Sequence, residues 1–180
     1  MKLSITLSSI VLSASLIALI TAPAAAQTTR ETLVKNNTQK LIETRACVGC
    51  DLTGADLQNL DLRGVDLKNS VLEDAQLQNT NLSTADLETA SLGGANLSKS
   101  NLFAANLTAA DLCFSQLQGS NLTQANLTKA QLIAANLQNA ELINTNFSYA
   151  NLQNANLRYV SLEATIFQGA NLRGIQRDVI

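Results

Sequence analysis

From Leu52 to Leu172, every fifth residue is Leu or Phe. The set has 25 members, 23 Leu plus Phe147 and Phe167. Two residues before each lies a second set, from Cys50 to Ala170, in which 14 of 25 are Ala. The others are Ser, Thr, Val and Cys, with Leu60 the one large exception. The residue just before each Leu or Phe is Asn eleven times and Asp six times. The unit reads Ala-(Asn or Asp)-Leu-x-x and runs without a gap from Cys50 to Gly174.

No regular element accommodates a period of five. Five residues turn an α-helix by about 500°, so successive Leu would circle the helix. In a continuous strand an odd period sends them to alternate faces. Both conflicts disappear if the chain turns a corner in every unit. The small residue and the Leu, two apart, then both point inward. The Asn or Asp between them points out, and the two x residues form the corner. Gly54, Gly64, Gly94, Gly119, Gly169 and Gly174 all occupy the second x position, as a turn favours. Stacked corners make a coil, and stacked coils pair their backbones as parallel strands about 4.8 Å apart. The alternation of large and small inward residues suits a narrow interior packed at protein density. Two patterns favour four sides and a coil of twenty. Leu-Gln recurs at Leu57, Leu77, Leu117 and Leu137, which such a coil puts on one face. Phe147 and Phe167 are also twenty apart and would stack.

These units resemble the pentapeptide-repeat family, defined by A(D/N)LXX. Ala110-Asp111-Leu112, Ala125-Asn126-Leu127 and Ala150-Asn151-Leu152 match it directly. The resemblance implies an all-β fold, a right-handed quadrilateral β-helix of about six coils over residues 50–174. It also implies that the Leu is the central inward residue and the Ala a second inward one. The leader followed by a C-x-x-C is similar to exported cyanobacterial members of the family and to relatives in the thylakoid lumen.

Residues 1–26 read as a secretory signal peptide. Lys2 is the only charge before Arg30, residues 3–20 are apolar with interspersed Ser, and Ala24-Ala25-Ala26 supplies an A-x-A site. An uncleaved membrane anchor is the alternative, since the apolar stretch approaches the length of a span. Cleavage after Ala26 leaves residues 27–49 as a leader, with a helix expected over 38–46 and Thr38 as its cap. Leu33, Val34, Leu41 and Ile42 fall on one helical face, suited to covering the open N-terminal end of a stack. Leu60, in the first coil, would meet this cap. Residues 175–180 form a tail in which Ile175, Val179 and Ile180 would fold back as a plug.

The chain contains no His, so Ser-His-Asp triads, Cys-His dyads and imidazole zinc sites are excluded. Its formal net charge of −2 offers no basic surface for nucleic-acid phosphates. Cys47-Val48-Gly49-Cys50 is a C-x-x-C without the βαβ context of a thiol-disulfide active site. A structural disulfide between Cys47 and Cys50, stapling helix to first coil, is the expectation. A redox-active pair is the alternative. Cys113 falls outward and is expected free. Asp51, Asp56, Asp61 and Asp66 ring the first coil on four different sides, which is no metal geometry. They are expected to be solvated or to accept hydrogen bonds from corner backbone. Asn at the same position further along suggests side-chain ladders.

Most outward residues are Gln, Ser, Thr, Asn or Gly. In a four-sided coil, Cys113 and Phe114 stand one coil before Ile133 and Ala134, a candidate partner patch. Phe103 and Ile143 lie on the opposite face, with Thr123 between them. The expected function is a non-enzymatic scaffold or protein-interaction rod, exported to a periplasm or a thylakoid lumen. No cofactor, metal or nucleic acid is expected, nor membrane association after signal cleavage. The partner would be a protein, and a monomer is favoured. One rival is a DNA mimic that inhibits a topoisomerase, as some members of the family are. Against it, residues 50–88 carry eight acids and two bases, but residues 89–180 only four acids and five bases. The other rival is a lumenal or periplasmic thiol-disulfide protein using Cys47 and Cys50.

Overall fold

The computed structural model describes residues 14–178. One helix, α1 (Ala14–Thr44), precedes a stack of coils. The chain divides into two compact units, Met1–Leu33 and Val34–Ile180, and the description below concerns the second. The n-region and most of the apolar stretch assigned to a signal peptide lie outside the described residues, as do Val179 and Ile180. Among the described residues, no helix is long and apolar enough to cross a membrane.

Parallel bridges pair residues twenty apart throughout the stack, from Ala46↔Asp66 to Asn156↔Gln176. A coil therefore has twenty residues and four faces of five. We number the faces by their first inward Leu: face 1 from Leu52, face 2 from Leu57, face 3 from Leu62 and face 4 from Leu67. Each face contributes a single bridge residue rather than a long strand, because the chain turns before a second residue can join the ladder. Hydrogen bonds close this lattice from both sides of the bridge. The Leu52 N–H donates to the Val71 carbonyl at 2.7 Å, and the Val71 N–H donates to the Cys50 carbonyl at 2.8 Å.

The corners are four-residue turns, with the N–H of Ala55 donating to the carbonyl of Leu52 at 3.0 Å. Every fifth residue from Gly49 to Gly174 has a φ between 52° and 71°. This is the positive φ that a type II turn needs at its third position. Glycine adopts it freely, yet Thr84, Thr89, Phe114, Tyr149 and Tyr159 hold it too. The lattice bond made by the N–H of most corner residues, such as Thr84 to the Phe103 carbonyl at 2.8 Å, helps to hold them there, while the Tyr159 N–H donates to the Asp178 carboxylate at 2.7 Å. At Gly169 there is a second demand, since a Cβ would lie 2.7 Å from Cδ1 of Tyr149.

Inside, the Leu and small positions form one continuous core from Leu41 to Leu157, most of it fully buried. Phe147 and Phe167 stack on face 4, with centroids 5.4 Å apart and planes within 4°. Buried hydroxyls are satisfied by backbone. Ser70, Ser100, Ser115 and Ser120 each donate to the carbonyl three residues earlier, at 2.6–2.8 Å. Thr80 and Thr145 reach instead to the coil before, donating to Leu57 and Leu122 carbonyls at 2.7 and 2.8 Å.

The helix differs from the expected 38–46. It begins at least 24 residues earlier and Thr38 lies inside it. Alanine-rich sequence and long unbranched side chains propagate a helix, so none has to start afresh at Thr38. Its C-terminus is set by Arg45, which takes a φ of 57° and donates its N–H to the Leu41 carbonyl at 2.9 Å. Leu41 is fully buried in the core and Val34 packs against it, so this helix closes the first coil. Leu60 is half-buried against the same core. At the other end, Ile175 is half-buried, while Leu162 and Leu172 are 43% and 37% exposed, with no further coil above them among the described residues.

Candidate functional site

Cys47 and Cys50 are joined by a disulfide, with S–S 2.00 Å. Both sit in the core beside α1, Cys47 fully buried and Cys50 8% exposed. Cys47 Sγ lies 3.5 Å from the Asn37 carbonyl oxygen, and Lys40 Nζ lies 4.0 Å from Cys50 Sγ. The Asn37 amide donates to the Asp51 carbonyl at 2.8 Å. Arg45 donates to the Asp61 carbonyl at 3.2 Å and to the Arg63 carbonyl. The bridge thus lies among contacts that tie α1 to the first coil. Thiol exchange requires a thiolate to reach a sulfur, and burial obstructs that approach.

Asp51, Asp56, Asp61 and Asp66 each accept the backbone N–H two residues on, at 3.0–3.3 Å. They brace the corners, and they stand on four different faces. Asp61 also binds the Arg63 guanidinium at 2.7 Å. That hydrogen bond, with the Arg63 N–H, holds its carboxyl down to about 2. Lys68 bridges Asp66 at 3.5 Å and Asp86 at 3.0 Å, across two coils of face 4. Both bases of residues 50–88 are thus engaged by acids of the same segment. Further along, Asn replaces Asp and partial ladders form. Asn156 donates to Asn136 at 3.1 Å, and Asn171 to Asn151 at 2.9 Å. Among the described residues, no group of His, Cys, Asp and Glu is arranged to hold a metal.

Cys113, Phe114, Ile133 and Ala134 fall on face 1 in adjacent coils. The Phe114 N–H donates to the Ile133 carbonyl at 2.9 Å, which fixes the two pairs in register. Phe114 is 64% exposed, and the other three are partly so. Gly93 and Gly94 occupy the coil before on this face, and the Asp74 carboxylate of the coil below lies against Gly94. Cys113 is free. Burial first, and then hydrogen bonding to Asp111, pushes its thiol up to about 11, so it is not a thiolate nucleophile near neutral pH. Sequence reasoning names Gly94 only as a corner and Asp111 only within a repeat unit, and connects neither with this patch. The twenty-residue register, applied one coil downward, is the signal that finds Gly93 and Gly94. Phe103, on face 3, is 36% exposed, and Ile143 two coils on is half-buried. Thr123 separates them, so the structure does not bring them together.

Solved structures similar to this chain include pentapeptide repeat proteins. A pentapeptide repeat protein (Rfr23) from the cyanobacterium Cyanothece 51142 is 30% identical over 80% of this chain and 99% of its own, with a TM-score of 0.43. A pentapeptide repeat protein from the Arabidopsis thaliana thylakoid lumen is 35% identical over 63% of this chain and 69% of its own, with a TM-score of 0.35. QnrB1, a plasmid-mediated fluoroquinolone resistance protein, is 17% identical over 74% of this chain and 82% of its own, with a TM-score of 0.36. Curated protein sequences give no match. The profile of pentapeptide repeats matches in 8 copies over residues 50–88, 81–113, 105–140 and 135–174, and the chain belongs to that family of right-handed quadrilateral β-helices.

Proposed function

We propose that this protein is a non-enzymatic interaction scaffold that works outside the cytoplasm, and that it meets its protein partner through face 1 at Cys113, Phe114, Ile133 and Ala134. One observation carries the reading: Phe114 stands 64% exposed, in lattice register with Ile133, on a wall whose other outward residues are mostly polar or glycine. An exposed aromatic on a rigid, closely bonded surface loses little entropy on binding, which is the usual character of an interface anchor. Hydrogen bonds between coils hold these side chains at fixed spacing, so the surface is presented pre-formed. The signal-peptide pattern of residues 1–26 and a cystine at Cys47–Cys50 support a compartment that permits disulfides.

The test is photo-crosslinking from position 114 in the native compartment, beside the same probe at Gln124, a corner on face 3. A discrete adduct from 114 and none from 124 supports the reading. Equal labelling from both, or none from 114, overturns it. Against the DNA-mimic alternative, the purified protein is expected to leave gyrase supercoiling unaffected. Dose-dependent inhibition at micromolar protein would transfer the function to that reading.

A further inference from the structure

Face 1 carries its charged and its apolar residues on separate rungs. Lattice bonds climb it in sequence. The Asp74 N–H donates to the Gly93 carbonyl at 3.0 Å, the Gly94 N–H to the Cys113 carbonyl at 2.9 Å, and the Phe114 N–H to the Ile133 carbonyl at 2.9 Å. Glu73 and Asp74 therefore stand two rungs below Phe114 and Ile133 one rung above it, with rungs about 4.8 Å apart. Both carboxylates lean onto the glycine rung between. The Ser91 hydroxyl donates to Glu73 at 3.1 Å, and the Asp74 carboxylate lies against Gly94. Their charges thus sit about 5–10 Å below the Phe114 ring. Glu73, Asp74 and Asp111 are exposed, and none is in an ion pair among the described residues. Other acids of the early coils hold a base, Asp61 with Arg63 and Asp66 and Asp86 with Lys68. On face 1 the first outward base is Arg173, and Lys129 at the adjoining corner pairs with none of the three acids.

Resting on the face-1 reading given above, we infer that the partner presents an amphipathic helix with one basic end, laid along the stack. A wall of acids and apolar residues with no base of its own complements a surface that sets Arg or Lys beside apolar side chains. The spacing selects a helix. Residues three or four apart on an α-helix share a face and are about 4.5–6 Å apart, and residues seven apart are separated by about 10.5 Å. Apolar residues at i and i+4 then meet Ile133 and Phe114, one rung apart. Bases at i+8 and i+11 meet the carboxylates of Asp74 and Glu73. An extended segment repeats its face every 6.6 Å or about that, out of step with rungs of about 4.8 Å. It also gains no backbone hydrogen bonds here, because face 1 is a wall of paired coils and not a sheet edge.

One helix on one face is a small contact, in the class of transient associations that bury less than about 1,200 Å². Phe114 and Ile133 supply the apolar anchor. The acids add speed of encounter and choice of partner more than affinity, and salt screens them. Gly93 and Gly94 bring no side chains of their own to the rung where the bases arrive, so a helix seated on Phe114 meets charge there without bulk.

The probes are two alanine-based synthetic helices of about 18 residues, one with Leu at i and i+4 and Arg at i+8 and i+11, the other with the same pattern reversed. Fluorescence anisotropy against the full chain is expected to show saturable binding of one of them, weakened by added salt. The same peptide with Glu for both Arg is expected to bind at least tenfold more weakly. Glu73→Arg with Asp74→Arg should reverse that preference, and Phe114→Ala should weaken binding at least fivefold. Glu141→Arg with Glu163→Arg makes the same change of charge on face 3 and should leave the affinity within twofold. Far-UV circular dichroism checks that each variant keeps its fold. The inference falls if neither peptide binds, if the Glu peptide binds equally well, or if the face-3 swap weakens binding as much as the face-1 swap. It also falls if the protein self-associates through Phe114 and the peptide cannot compete, which makes a second copy the occupant. Crosslinking from position 114 in the native compartment, repeated with Glu73→Arg and Asp74→Arg, separates the two readings. Loss of the adduct supports the basic helix. An adduct that survives overturns the basic helix and leaves face 1 as the partner surface. No adduct from the wild-type chain removes both.

Discussion

Ala109 and Ala110 are neighbours, yet the same substitution should act on them with opposite sign. Ala109 is exposed, with φ 56°, at the corner that closes the face-4 unit of Leu107. Left-handed backbone costs an L-residue about 1–2 kcal/mol, and glycine escapes that cost. Glycine also gains freedom in the unfolded chain, which takes back about 0.4–1 kcal/mol. Ala109→Gly should therefore stabilise by about 0.5–1 kcal/mol. Ala110 points into the core and is fully buried. Its methyl contributes about 0.8 kcal/mol by burial, and its loss adds a small cavity and the same unfolded-state term. Ala110→Gly should destabilise by about 1.5–2 kcal/mol. For a chain of this size, 1 kcal/mol moves the melting midpoint by about 2–4 °C. Thermal melts followed by circular dichroism should then separate the two variants by about 5–10 °C, on opposite sides of the wild type. If Ala109→Gly lowers the midpoint as much as Ala110→Gly, the corner carries no strain, and the account of why non-glycine residues tolerate it is wrong.

Leu107→Asp should abolish folding, since it buries a carboxylate among aliphatic side chains with no partner. Thr108→Asp, one residue on and facing out, should cost no more than about 1 kcal/mol in chemical denaturation. Equal effects would refute the inward and outward assignment. The Asp61 carboxyl should titrate near 2 by NMR, below the ordinary 3.8, and Arg63→Gln should return it toward that value. Because the folded value is the lower one, the stabilisation from this pair is present above the ordinary value and is lost as pH falls through about 2. Replacing Cys47 and Cys50 with Ser should raise hydrogen exchange in residues 38–60 and leave coils beyond residue 90 protected. So short a loop is worth at most about 2 kcal/mol. Loss of protection throughout the stack would show that the bridge holds more than the cap.

Much of this architecture is legible in the residues. Inward and outward positions follow from the Leu period, and Phe147 with Phe167 already implies the register that their stacked rings display. The alignment of Phe114 with Ala134 follows from the same count. Three features were hidden, each for a physical reason. Only some corners carry Gly, so composition conceals that Thr84, Phe114 and Tyr149 share the left-handed backbone; hydrogen bonding between coils overrides their local preference. The start of α1 was missed because Thr38 looks like a cap, although helix propagation upstream leaves it interior. Leu162 and Leu172 read like every other Leu, and their exposure reflects that no coil stacks on them among the described residues.

Bridges between residues twenty apart, built from units of five, have a consequence for how such a chain tolerates changes of length. Removing one unit replaces a Leu with the next Leu and leaves the interior filled. Outside, it rotates every later residue by a quarter turn. Removing residues 120–124, for instance, would carry Ile133 and Ala134 off face 1 and separate them from Phe114. Phe147 and Phe167 would stay stacked, since both move together. Only a change of four units returns each later side chain to its own face. Insertions and deletions are thus a rotary adjustment: the core keeps time in fives and the surface in twenties.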